Sequence, residues 1–236
     1  MTEDMAGKTS KKVDKKPGMF VKGYLFFYNF AQVIGWSYLL FLIGTYYSDT
    51  SKHSSLWETV KITVIIFQNA AILEIFHAAL GFVHSNVMIT TFQVFSRVMA
   101  VCGVLIPFQS SQESIGLPLL LLAWTITEII RYSYYAINIF GLVPYFIIWC
   151  RYTFFIVLYP IGVTGELLAL YAAQAEVAET KRWTTEMPNF LNFTFSYRYY
   201  LLFVMFLYLP LFPQMYLHMF AQRRKIIGGE TTKKKQ

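Results

Sequence analysis

Trp149 to Leu170 reads WCRYTFFIVLYPIGVTGELLAL. The stretch is apolar enough to lie in a bilayer, yet it carries Tyr152, Tyr159 and Glu166 at seven-residue intervals. On an α-helix a seven-residue step returns nearly to the same face, so these side chains are expected to form one stripe. Pro160, Gly162 and Gly165 are expected to interrupt the helix where the stripe is most polar. Proline removes a backbone donor, and glycine lets a ligand or another backbone come close. A phenol and a carboxylate buried among small residues point to chemistry inside a membrane.

Of the 236 residues, 56% are hydrophobic and only 14% charged, where a soluble domain has roughly a quarter of its residues charged. The chain cannot cover itself with a polar surface and reads as one polytopic membrane domain. Its formal net charge of +7 sits at the two ends. Lys8, Lys11, Lys12, Lys15, Lys16 and Lys22 precede the first apolar run; Arg223, Arg224, Lys225 and Lys233 to Lys235 follow the last. Such charges flank a membrane and are not read as a nucleic-acid surface. Cys102 and Cys150 both lie in apolar runs and set up no disulfide framework or metal site. No short apolar core follows the lysine-rich N-terminus, so no cleaved signal peptide is expected.

Six apolar runs, at approximately 24–44, 61–83, 92–108, 117–139, 145–171 and 197–219, each approach the roughly 20 residues a spanning helix needs. The third is short and leaves a count of five or seven open. Residues 1–20 are read as a disordered basic cytosolic tail, 21–222 as the membrane domain, and 223–236 as a second basic cytosolic tail. Lysine clusters belong on the cytosolic side, and an even number of spans permits this at both ends. The expected fold is therefore an all-α bundle of six transmembrane helices with both termini cytosolic. Lys233 and Lys234 stand fourth and third from the end, the pattern of a dilysine signal for retrieval to the endoplasmic reticulum. The sequon Asn192-Phe193-Thr194 lies too close to the sixth run for modification to be expected.

Ionisable residues within the runs are costly and are functional candidates by default. Glu74 and His77 are three apart and share a face; Glu128 and Arg131 repeat the arrangement. A Glu-x-x-His element occurs in carboxylate-bridged di-iron bundles, but those need two such elements and further glutamates, so no metal is expected. Arg131 stays charged and can hold Glu128, Glu74 or both across a helix interface. Two readings of these four residues stay open: polar glue that fixes which helices touch, or groups that orient a substrate and set the ionisation of Glu166. Tyr159 and Glu166 differ, because no basic residue lies between them on their own helix. A carboxylate shielded in apolar surroundings is a stronger base, and a tyrosine stays protonated and can donate. One base with one acid suits a reaction that removes a proton at one carbon and expels hydroxide from the next. A cysteine phosphatase needs an arginine six residues after its nucleophile, where Cys102 has Phe108 and Cys150 has Ile156. Neither a Gly-rich phosphate loop after a strand nor a G-x-S-x-G elbow is present.

Five segments carry a resemblance: AAILEIFHAALGFVHS (70–85), WTITEIIRYSYYA (124–136), RYTFFIVLYPIGVTGE (151–166), MPNFLNFTF (187–195) and PQMYLHMFAQRRK (213–225). In order and spacing the chain resembles the very-long-chain 3-hydroxyacyl-CoA dehydratases, the family also called protein tyrosine phosphatase-like. The resemblance implies a six-span enzyme of the endoplasmic reticulum membrane. Its reaction would be the third step of very-long-chain fatty acid elongation, in which a (3R)-3-hydroxyacyl-CoA loses water to give the trans-2-enoyl-CoA. It implies no cofactor, CoA being part of the substrate, and as partners a fatty acid elongase, a 3-ketoacyl-CoA reductase and an enoyl-CoA reductase. The family's catalytic Tyr and Glu, seven residues apart, fall on Tyr159 and Glu166, the pair already singled out by burial and spacing. Glu166 would take the C2 proton and Tyr159 donate to the departing hydroxyl, or the roles are exchanged. Arg97 and Arg151, read as positive residues at the cytosolic face, are expected to meet the CoA phosphates; Tyr152 is expected to support the site. The competing reading is a non-catalytic scaffold of the elongation complex or a small transporter. A transporter often shows an internal repeat with paired broken helices, and here only the fifth run carries the Pro-Gly interruption.

Overall fold

Among the described residues, five helical stretches are long and apolar enough to cross a membrane: Met19–Ser48, Leu56–Ala79, Val87–Leu105, Tyr145–Thr180 and Tyr197–Gly228. The computed structural model in which they are seen describes residues 18–49, 54–190 and 192–233, with side chains described as far as Gly228. The chain is an all-α polytopic membrane bundle. In order it runs α1 (Met19–Ser48), α2 (Leu56–Ala70), α3 (Ile72–Ala79) and α4 (Val87–Val98), which continues into a π-helical segment, Met99–Leu105. Then come α5 (Gln109–Gln112), α6 (Gly116–Asn138), α7 (Tyr145–Arg151), α8 (Phe155–Thr180) and α9 (Tyr197–Lys233). Thr185 and Phe195 form an antiparallel bridge in the connection before α9.

The inward faces are chosen by polarity as much as by size. On α1, Leu25, Asn29, Gln32, Trp36, Leu39 and Ile43 are buried at alternating steps of four and three, one helical stripe. Phe27, Phe30, Ile34 and Phe41 point outward. Gln32 is 1% exposed while Phe27 is 70% exposed, the reverse of a water-soluble protein. Lipid tails are as apolar as a phenylalanine, so helices in a bilayer associate through close packing and buried hydrogen bonds. Gln32 supplies such bonds: its Nε2 donates to the Phe67 carbonyl at 3.3 Å, and its Oε1 accepts from Trp36 Nε1 at 3.1 Å.

α6 packs chiefly against α1 and α8. Its 23 residues reach about 34 Å, but Glu128 and Arg131 lower its hydropathy, and it does not rank among the five apolar stretches. Leu117, Leu120, Leu121 and Trp124 join Trp36, Leu39, Val60, Val64 and Val101 in the main core. Against α8 the contact is backbone to backbone. A Cβ on Gly165 would stand 2.5 Å from the Leu120 nitrogen, and one on Gly116 2.5 Å from the Gly165 carbonyl oxygen. The sequence reading of Gly162 and Gly165 as points of close approach therefore holds for Gly165, with α6 as the neighbour. We expect Gly165→Ala to cost about 1–3 kcal/mol through overpacking, read as a lower thermal midpoint in detergent. Gly23→Ala is the control, because nothing lies within 4 Å of its added Cβ; equal midpoints for the two variants would refute the close contact.

Two expectations about the Trp149–Leu170 stretch are corrected. α8 runs unbroken through Pro160, because the Ile156 carbonyl that proline leaves without its helical donor accepts from Tyr216 Oη at 2.9 Å. The interruption lies earlier, at Tyr152 to Phe154. There the backbone tightens: Thr153 bonds to Cys150, Ile156 to Thr153 and Val157 to Phe154, each three residues back. Tyr152 therefore ends α7 and lies outside α8, which begins at Phe155, so of the three only Tyr159 and Glu166 stand on that helix. A second break, at Ala71 between α2 and α3, means that the fifth run is not the sole interrupted one, while α9 runs unbroken through Pro210 and Pro213.

Helices begin and end beyond the expected runs. α1 starts at Met19, and α9 continues to Lys233, past position 223. The basic residues Lys8 to Lys16, Lys52 of the first connection, and Lys234 to Gln236 of the dilysine pattern lie outside the described residues.

Candidate active site

α8 and α9 lie antiparallel, and a single face of α9 meets the polar face of α8. Tyr208 sits against Glu166, Phe212, Met215 and Tyr216 against Tyr159, and Phe220 against Phe155. Positions 208, 212, 215, 216 and 220 of α9 follow the steps of four and three that keep side chains on one helical face.

The Glu166 carboxylate is held at both oxygens. Trp124 Nε1, from α6, donates to Oε1 at 2.7 Å, and Tyr208 Oη donates to Oε2 at 2.6 Å. The α6–α8 contact at Gly165 brings the Trp124 turn within reach. Tyr159 is half-buried and held through its ring. It stacks on Phe212 with centroids 5.5 Å apart and planes 15° apart, and on Tyr216 at 6.2 Å and 2°. Its hydroxyl donates to Met215 Sδ at 3.4 Å, and a thioether is a weak acceptor. The two residues are two turns apart, about 10 Å along the axis. The arrangement thus offers a fixed carboxylate and, two turns away, a phenol whose proton is only weakly engaged.

A second polar cluster lies beside the first. Arg131 Nη1 and Nη2 grip Glu74 at 2.7 and 2.9 Å, while its Nε donates to Glu128 Oε2 at 2.7 Å. Tyr132 and Tyr28 also donate to Glu74. Arg97, at the end of α4, forms an ion pair with Oε1 of Glu128, whose side chain is 1% exposed. Two carboxylates and two guanidiniums thereby close a nearly neutral set joining α3, α4 and α6. Arg97 links the clusters, since it also interacts electrostatically with Glu166 and Tyr159.

The protein tyrosine phosphatase-like family, PTPLA, matches the chain over residues 68–229. The chain belongs to this family. It is 46% identical over 217 residues to the very-long-chain (3R)-3-hydroxyacyl-CoA dehydratase hpo-8 of Caenorhabditis elegans, covering 92% of this chain and 100% of that protein. Identity to very-long-chain (3R)-3-hydroxyacyl-CoA dehydratase 2 of Mus musculus is 43% over 222 residues, 94% of this chain and 87% of the relative. The more distant very-long-chain (3R)-3-hydroxyacyl-CoA dehydratase PASTICCINO 2 of Arabidopsis thaliana is 34% identical over 206 residues, 87% of this chain and 93% of the relative. No solved structure matches the chain.

In this PTPLA-family chain the candidates picked from sequence separate into four groups. Tyr159 and Glu166 share the α8 face gripped by α9. Glu74, Glu128 and Arg131 come together as one network, with Arg131 holding both carboxylates. His77 stands apart at the end of α3, its Nε2 2.9 Å from Tyr24 Oη and its ring edge-on to Tyr24 and Tyr28. Arg151 packs its guanidinium over Tyr134 and Tyr135, 4.4 and 4.8 Å from the ring centroids, with Tyr152 alongside at 5.8 Å. The expectation that Arg97 faces the phosphates is corrected, because its guanidinium is taken by the buried Glu128. Trp124 and Tyr208 were missed. Trp124 carries a readable signal, since it lies one turn before Glu128 and two before Tyr132 on the same face of α6. Tyr208 carries none, being one tyrosine among 17 in a helix apolar on all sides.

Proposed function

We propose that this chain is a very-long-chain (3R)-3-hydroxyacyl-CoA dehydratase, a hydro-lyase acting at the third step of very-long-chain fatty acid elongation. The observation that carries the reading to the site is the pairing, on one face of α8, of a carboxylate fixed by two donors with a weakly engaged phenol. The thioester carbonyl of the substrate acidifies the C2 proton, and Glu166 removes it. The electron pair of that C–H bond becomes the C2–C3 double bond, and the C3–O bond breaks. Tyr159 gives its proton to the departing oxygen, so water leaves and trans-2-enoyl-CoA remains. The pair is then a carboxylic acid and a phenolate; transfer of one proton from Glu166 to Tyr159 restores both. Acid and base roles follow the geometry: the carboxylate is fixed in direction by two donors, and the phenol, engaged only by a thioether, has a proton to give.

The acyl chain lies between helices, where burial is worth about 0.8 kcal/mol per CH₂. With Arg97 committed to Glu128, Arg151 is left to meet the CoA phosphates. Glu74, Glu128 and Arg131 act as the glue that joins α3, α4 and α6 around the site. With α6 as the fourth, the spans number six, and both termini face the cytosol. The protein resides in the endoplasmic reticulum membrane beside a fatty acid elongase, a 3-ketoacyl-CoA reductase and an enoyl-CoA reductase, which make its substrate and consume its product. Purified protein in detergent, given a long-chain (3R)-3-hydroxyacyl-CoA, is expected to form the trans-2-enoyl-CoA without added cofactor. No product, under conditions where a known dehydratase works, would favour the non-catalytic scaffold.

A further inference from the structure

We propose that Tyr208 and Trp124 form a positioning clamp that sets the direction in which Glu166 presents its basic lone pairs, with Tyr208 tying that direction to the placement of Tyr159. The inference rests on the dehydratase reading and adds two residues to its machinery. An ionised carboxylate has about four lone-pair sites. Trp124 occupies one on Oε1 and Tyr208 one on Oε2, which leaves one on each oxygen for the substrate. The donors come from different helices, α6 and α9, so the carboxyl plane is fixed from both sides of α8. A carboxylate held by one donor swings about that bond; held by two, it is locked.

Tyr208 has the wider reach. It lies one turn before Phe212 and two before Met215 and Tyr216, the three α9 residues that hold the Tyr159 ring and hydroxyl. Tyr216 also caps the Ile156 carbonyl that Pro160 leaves open. One α9 face therefore sets the base, the acid and the local course of α8 together. The tight seating of α6 against Gly165 does the same for Trp124. Neither residue need touch the reacting carbons to matter: misplacement of a reacting group by about 1 Å can cost on the order of 100-fold in rate.

The test is single-turnover dehydration with the full-length protein in excess over a long-chain (3R)-3-hydroxyacyl-CoA, comparing wild type, Tyr208→Phe and Trp124→Phe. Each substitution deletes one hydrogen-bond donor and keeps an aromatic ring. We expect the rate constant to fall about 10–100-fold in each variant, while the enzyme concentration giving half-maximal rate changes no more than about threefold. A merely structural role gives a different signature: fewer competent molecules raise the total enzyme concentration needed for half-maximal rate and leave the maximal rate constant at its wild-type value. That result in either folded variant overturns the clamp, and each variant tests it without the other. Wild type without turnover would instead overturn the dehydratase reading itself, so the two failures are distinguishable.

Discussion

Glu166→Gln and Tyr159→Phe are each expected to cut turnover of a long-chain (3R)-3-hydroxyacyl-CoA by about 10²–10⁴-fold, the usual worth of a positioned acid or base. The fold should survive both changes, which makes the loss interpretable. In Glu166→Gln the amide oxygen can still accept from Trp124 Nε1, and the Tyr208 hydroxyl can rotate to accept from the new NH₂. Shape and hydrogen bonds are kept; only the basic lone pair is lost. In Tyr159→Phe the ring stays stacked against Phe212 and Tyr216, and the hydrogen bond removed is the weak one to Met215 Sδ. Because the two groups act in one elimination, the double variant should be little worse than the poorer single one. Wild-type turnover in both single variants, confirmed as folded by size-exclusion profile, would move the site to Glu74, His77, Glu128 and Arg131.

What the sequence disclosed follows from what a bilayer demands. A span must be apolar along its whole length, so the runs stand out from composition, and an ionisable residue within one is conspicuous because it is costly. Glu74, Glu128, Arg131, Tyr159 and Glu166 were legible for that reason. Their partners were not, since sequence does not say which helices touch. Trp124 reaches Glu166 because two glycines allow α6 and α8 backbone contact, and Tyr208 reaches it because α9 returns antiparallel. Arg97, at the end of α4, read as a positive residue at the cytosolic face; in the structure it pairs with Glu128 of α6, a contact that no sequence spacing announces. The break at Tyr152 was hidden for another reason. Three backbone bonds tighten there in a stretch with no glycine or proline to announce it, whereas Pro160, which did announce a break, is rescued by a hydroxyl from another helix.

The buried ion network makes the other large prediction. Glu128 is ion-paired with Arg97 through one oxygen and accepts from Arg131 on the other, and Arg131 in turn holds Glu74. Two acids and two bases cancel, so the set can lie inside the bundle. Glu128→Leu removes one carboxylate and leaves a net positive charge inside the bundle. Breaking a buried pair from one side costs about 3–5 kcal/mol, and this variant is expected to lose most of its folded population and melt far below wild type in detergent. The sign of the cause can be tested by removing the opposite charge as well. Arg97→Met combined with Glu128→Leu restores neutrality, leaving Arg131 with Glu74 alone. If uncompensated charge is what destabilises Glu128→Leu, the double variant should be more stable than that single one, with a coupling of about 0.5–3 kcal/mol in a double-mutant cycle. If the two losses simply add, Glu128 stabilises the bundle through packing and Arg97 is not its counter-ion. Recovery in the double variant would also separate scaffold from chemistry. The network could then be neutralised while Tyr159 and Glu166 stay in place, and the turnover that remained would report how far the charge of Arg97 acts on them.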